Sequence, residues 1–136
     1  MSAFSDFMEN EILKRMFNGA ATLTTPTNVS ISLHTADPGE TSAATAEVTG
    51  GNYARRTIAA SGGNWTVSAN NVVNAGTISF PSTGTATWAA TVTHFCIWDD
   101  AGTPNKLFKG ALTASKTVAS GDVFQFLAGG ISITLD

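Results

Sequence analysis

Charge is the scarcest ingredient of this sequence. Only 12% of its 136 residues are charged, 10 acidic against 7 basic, for a formal net charge of -3. Non-specific binding to DNA or RNA needs clustered Lys and Arg to displace counterions, so no nucleic-acid partner is expected. Arg55 and Arg56 make no basic stripe, because neighbouring residues on a strand face opposite ways. Cysteine is almost absent too. The single Cys96 cannot close an intrachain disulfide, and folding therefore needs no oxidising compartment. No apolar run approaches a membrane span, and Asp6, Glu9 and Glu11 precede any basic residue, which predicts no membrane partner, no leader and synthesis in the cytoplasm.

The vocabulary of catalysis is equally thin. His34 and His94 are the only histidines; with Asp37 or Asp99 nearby they could form a metal site or a proton-transfer pair, but no ligand cluster at metal spacing accompanies them. The glycine pairs at 50–51, 62–63 and 129–130 lack the lysine of a phosphate loop, and no serine lies in a Gly-x-Ser-x-Gly elbow. Cys96 falls on the same strand face as His94, close enough for contact, but Phe95, Ile97 and Trp98 around it read as core. We therefore expect no enzyme activity, no catalytic residues, no metal site and no cofactor.

What is present is a chain of one-domain size, 1–136, with 43% hydrophobic residues and a surface built from Thr, Ser, Asn, Gly and Ala. Such a surface is cheap to desolvate against a protein partner. A helix is predicted within 3–18: residues 4–17 contain no Gly or Pro, Ser2 or Ser5 can cap it, and Gly19 can close it. Its apolar residues do not form one stripe. Phe4, Phe7, Met8, Ile12 and Met16 spread over one broad side while Leu13 and Phe17 fall on the opposite flank, so all seven are candidate interface residues. The two-flanked helix and the uncharged surface predict a homo-oligomer, a trimer being one form it could take.

Short alternating segments follow, at 29–34, 53–60, 65–68, 77–80, 88–98, 107–112, 117–118, 123–127 and 131–135, punctuated by Asp37-Pro38-Gly39, Pro81, Asp99-Asp100-Ala101-Gly102 and Ser120-Gly121-Asp122. This spacing predicts a mainly β fold, an antiparallel, jelly-roll-like β-sandwich over 28–136 preceded by the N-terminal helix. Residues 40–52 read as a long surface loop and a second candidate contact. Tyr53, Trp65, Trp88 and Trp98 offer either core plugs or a sugar-binding platform. Trp98, next to Asp99 and Asp100 at a strand end, is the candidate surface aromatic, for a sugar or calcium contact.

Several blocks resemble a family of small proteins encoded among the structural genes of tailed bacteriophages and prophages, described as tail-fibre-like. They are the opening Phe4-Ser5-Asp6-Phe7-Met8-Glu9-Asn10-Glu11-Ile12-Leu13, then Val29-Ser30-Ile31-Ser32-Leu33-His34-Thr35-Ala36-Asp37-Pro38-Gly39 and Glu47-Val48-Thr49-Gly50-Gly51-Asn52-Tyr53-Ala54-Arg55-Arg56. The likeness continues through Ile78-Ser79-Phe80-Pro81, Val92-Thr93-His94-Phe95-Cys96-Ile97-Trp98-Asp99, Leu107-Phe108-Lys109-Gly110-Ala111-Leu112 and the C-terminal alternation, so it spans nearly the whole chain. It implies a structural component of the virion, made in the host bacterial cytoplasm, without enzyme activity, and partnered by other virion proteins of the tail, neck or major capsid. A tail-fibre or tail/neck assembly role leads. Capsid decoration as a cement protein and a receptor- or carbohydrate-binding module are the alternatives.

Overall fold

The computed structural model describes residues 2–135. The chain runs β1 (Ser2–Phe4), α1 (Asp6–Phe17), β2 (Asn28–His34), β3 (Arg56–Ala59), β4 (Trp65–Ser68), β5 (Asn71–Asn74), β6 (Ile78–Phe80), β7 (Ala90–Trp98), β8 (Lys106–Val118), β9 (Phe124–Phe126) and β10 (Ser132–Thr134). Strands pair into a five-stranded sheet of order β1-β8-β7-β2-β3, a three-stranded sheet β10-β5-β4 and a two-stranded ladder β6-β9. Every ladder is antiparallel. The fold is thus mainly β with one short N-terminal helix.

The period-two pattern explains the layers. Ile31 and Leu33 stand in register with Ile97 and Phe95 on one face of the large sheet, and all four are buried. That face packs on the smaller sheets in one core containing Ile78, Phe80, Phe124, Phe126, Ile131 and Ile133. Aromatic edges interlock there: Phe80–Phe124 centroids lie 6.1 Å apart, Phe95–Phe126 5.6 Å and Phe124–Phe126 5.0 Å. Gly110 leaves room for the Phe95 ring, since a Cβ there would lie 2.6 Å from two of its carbons.

The helix starts later than its sequence suggests, because Ser2–Phe4 is taken by the sheet. Phe4 pairs with Phe108, their rings 5.1 Å apart. Ser5 then caps α1, accepting the Met8 N–H at 3.3 Å while its own hydroxyl donates to the Lys106 carbonyl. At the far end Gly19, at φ +67°, donates its N–H to the Lys14 carbonyl at 2.8 Å and closes the helix. Between Val92 and His94 the β7–β8 register jumps, so that Leu112–Ser115 bulge away opposite Thr93 alone.

Candidate functional site

Helix α1 packs with a polar residue inward. Phe7 and Met8 touch the core, and beside them Glu11 is only 2% exposed. Its carboxylate accepts the backbone N–H of Thr22 and that of Leu23 at 2.6 Å, the Thr22 hydroxyl at 3.2 Å, and Lys14 Nζ at 2.9 Å. The Lys14 ammonium and then the Leu23 N–H hold its pKa down to about 2. Glu11 thereby ties the connector after the helix back onto α1, and Arg15 adds a 2.8 Å bond to the Leu23 carbonyl.

Turning Glu11 inward turns apolar side chains outward. Ile12 is 39% exposed, Leu13 58%, Met16 71% and Phe17 83%. At ~100° per residue these four fill one arc of about 140°, so Ile12 and Met16 share the solvent side with Leu13 and Phe17. Of the seven candidate interface residues, then, Phe4, Phe7 and Met8 are half-buried against the sheet, while Ile12, Leu13, Met16 and Phe17 form an apolar tip on the last half of the helix. The sequence carries no direct signal for this, because a carboxylate ordinarily marks a solvent-facing position and Glu11 is turned inward by its bonds to Lys14 and the connector.

A second uncovered apolar surface opens between the large sheet and the three-stranded sheet. Val67, Val72 and Ile133 stand in one register row across β4, β5 and β10. Ile133 is buried, whereas Val67, on the edge strand, is 73% exposed. With Trp65, Leu107 and Phe108 they line a wedge of about 310 Å³, and no lining residue is charged. No sequence signal marks it, because alternation shows which face Val67 occupies and not how far the opposite sheet extends.

The outer face of the large sheet is covered by residues 35–55: Val48 is buried, Glu47 bridges to His34, and the Val48 N–H donates to the Leu33 carbonyl at 2.9 Å. Residues 39–45 and 49–52 of this cover are exposed, as the reading of 40–52 as a surface loop expects. Beneath it lies a closed polar network. Glu47 accepts from Arg55 at 2.8 and 2.6 Å and from the Tyr53 hydroxyl at 3.2 Å. The Lys106 ammonium, fully buried, donates to the Pro38 and Gly39 carbonyls at 3.1 Å each, and burial lowers its pKa.

Trp98 belongs to this network, and its expected place on the surface is corrected. It is 1% exposed, with its indole N–H on Ser32 Oγ at 2.7 Å and the Arg55 guanidinium 4.0 Å over its ring. β7 is central and covered on both faces, so its last residue is as buried as its middle. The neighbouring acids shape turns: Asp99 accepts from the Asn105 N–H and side chain at 2.8 Å each, and Asp100 from the N–H groups of Thr27 and Asn28. Among the described residues no group of three or more His, Cys, Asp or Glu is placed to hold a metal. Trp88 is buried and Tyr53 half-buried, its ring 5.6 Å from Trp88, so the four aromatics form no solvent-facing platform; Trp65 borders the wedge.

Of the two histidines, His34 is committed elsewhere, whereas His94 borders a small pocket with Asp37 and Lys109. His34 and His94 are register partners, yet His34 Nε2 meets Ser32 and Nδ1 meets the Thr45 carbonyl, while His94 Nδ1 meets Thr93. Cys96 is fully buried, which pushes its thiol up to about 11.

No curated protein matches the chain. A family model does: residues 3–134 fit the one described as podophage GP4 fiber I protein gp80. That match takes in α1 with its apolar tip, both walls of the wedge and the polar cover, and the chain belongs to this family of podophage fibre proteins.

Proposed function

We propose that the chain is a non-enzymatic assembly subunit of the phage tail fibre or tail–neck region, joined to other virion proteins and to copies of itself through the outward tip of α1. The observation that carries this reading is the tip itself: four large apolar side chains on a helix whose inward position is given to Glu11. An exposed apolar cluster on a fibre-family chain with so little charge is the signature of a surface meant to be covered. The lack of enzyme activity is supported by chemistry already spoken for, a thiol raised by burial and a histidine with both nitrogens bonded.

The test is incorporation. Phage carrying Leu13→Ser and Phe17→Ser, two exposed positions, are purified and the protein is quantified in intact particles. Losing two apolar anchors of ~1.5 kcal/mol or more each lowers occupancy at least tenfold, with the fold unchanged. Incorporation at the parental level would refute attachment through α1, and label over the head lattice would make the protein a capsid decoration.

A further inference from the structure

We propose that residues 39–46 form an acid-released strap over the outer face of the large sheet, held shut at neutral pH by the uncharged His34 ring. The strap runs between two buried anchors, Pro38 and Val48, and none of its own apolar side chains is buried. Polar bonds hold it down instead. It takes the Asp6 N–H at the Glu40 carbonyl (3.2 Å), the Lys106 N–H at Ser42 Oγ (3.2 Å) and the Thr35 N–H at the Ala46 carbonyl (2.9 Å). The Thr45 carbonyl accepts from His34 Nδ1 at 2.7 Å and the Gly39 carbonyl from the Lys106 ammonium at 3.1 Å. Ala46 ends the strap at φ +56°, a left-handed backbone that a residue with a Cβ adopts only under constraint. A segment with no apolar anchor of its own opens locally at a smaller cost than the packed sheet beneath it.

The bonds converge on two groups with no exposed surface, His34 and Lys106. The charges that act on the His34 ring are Glu47 and Arg55 from the cover and Lys106 from β8. Glu47 is already paired with Arg55, at 2.8 and 2.6 Å, and Lys106 is held by the Pro38 and Gly39 carbonyls. From β7 the ring meets its register partner His94, which borders Asp37 and Lys109, themselves paired at 3.0 Å. Its remaining neighbour, Ser32, is uncharged. A proton on His34 therefore sets three cations beside one carboxylate that is already taken. Lifting the strap admits water to the ring and to the Lys106 ammonium. In the open form the ring regains its ordinary value of 6.5, while burial keeps the closed ring below it, so the open form binds the proton better. The strap is fully shut above that pH and opens increasingly as pH falls below it.

Hydrogen exchange on the full chain reads the strap directly, because the Asp6, Thr35 and Lys106 amides donate into it. If the strap opens without the sheet, these three should be at least about tenfold less protected than the amides of the buried Ile31 and Ile97. Between about pH 7.5 and 5.5 their protection, corrected for intrinsic exchange, should fall roughly five- to tenfold, the linkage of one proton. His34→Gln cannot take up that proton and should level the response. His94→Gln should keep it. Near-ultraviolet circular dichroism of the buried Trp88 and Trp98 verifies folding of each variant. Three amides as protected as the sheet, a pH response that survives His34→Gln, or one that His94→Gln abolishes would each overturn the proposal. Should His34→Gln not fold, His94→Gln decides, since His34 is then the one histidine left in the chain: a fall in protection over that range upholds the strap, and its absence overturns it.

Discussion

His34 has no exposed surface, and each ring nitrogen faces one partner. The Thr45 carbonyl, 2.7 Å away, can only accept, so Nδ1 carries the proton. Nε2 must then accept from the Ser32 hydroxyl at 2.7 Å, and the Ser32 oxygen accepts in turn from Trp98. Protonating the ring would make Nε2 a donor, and the Ser32 hydroxyl would have to turn its own proton away to accept from it. Burial lowers the pKa of His34 below its ordinary 6.5, so the unfolded chain takes up the proton first as pH falls. Stability is full above about 6.5 and declines below it. We expect the urea midpoint to fall between about pH 7 and 5.5. His34→Gln, about 1–3 kcal/mol less stable throughout, should lose that slope, as denaturation at the two pH values checks. None of this chain was legible in the sequence. Ser32 and His34 read as the polar side of a half-buried strand, and only the return of residues 35–55 over that side, a non-local event, makes them interior.

Two kinds of element were hidden and one was plain. β2, β4 and β10 show clean alternation, and the structure places them where the pattern does. β5 carries Asn71-Val72-Val73-Asn74, two adjacent apolar residues without alternation, and its pairing with β4 and β10 is what makes it a strand. β1 was hidden by good helix formers beyond it and by a partner, β8, a hundred residues away. The end of α1 was legible from Gly19, but its orientation turns on Glu11. Because Lys14 and the connector amides depress its pKa from 4.5 to about 2, the carboxylate's contribution is whole above pH 4.5 and disappears as pH falls toward 2. Glu11→Gln should reproduce that acid state at neutral pH. Limited proteolysis should then cut within 18–27 several-fold faster than in the parent, with the tryptophan signal of the core retained; an unchanged cleavage rate would mean that the connector is held by its other contacts.

At the scale of the molecule the shortage of charge and the two open apolar surfaces belong to one explanation. A protein with 12% charged residues has few ion pairs to offer a partner, and among the described residues those it makes are internal: Arg55–Glu47 and Lys109–Asp37 fasten its cover and Lys14–Glu11 lies within α1. Contacts between copies must then draw on burial of apolar surface, which salt does not screen. Raising ionic strength from ~0.1 M to ~1 M shortens the Debye length from ~10 Å to ~3 Å, enough to weaken an interface built on charge by an order of magnitude. For a contact made through the apolar end of α1, the association constant measured by sedimentation should stay within about twofold or rise over that range, because only apolar burial is at stake. A steep fall with salt would instead place Asp6 and Glu9, exposed on the first half of the same helix face, at the contact, and would move the interface from the end of α1 to its beginning.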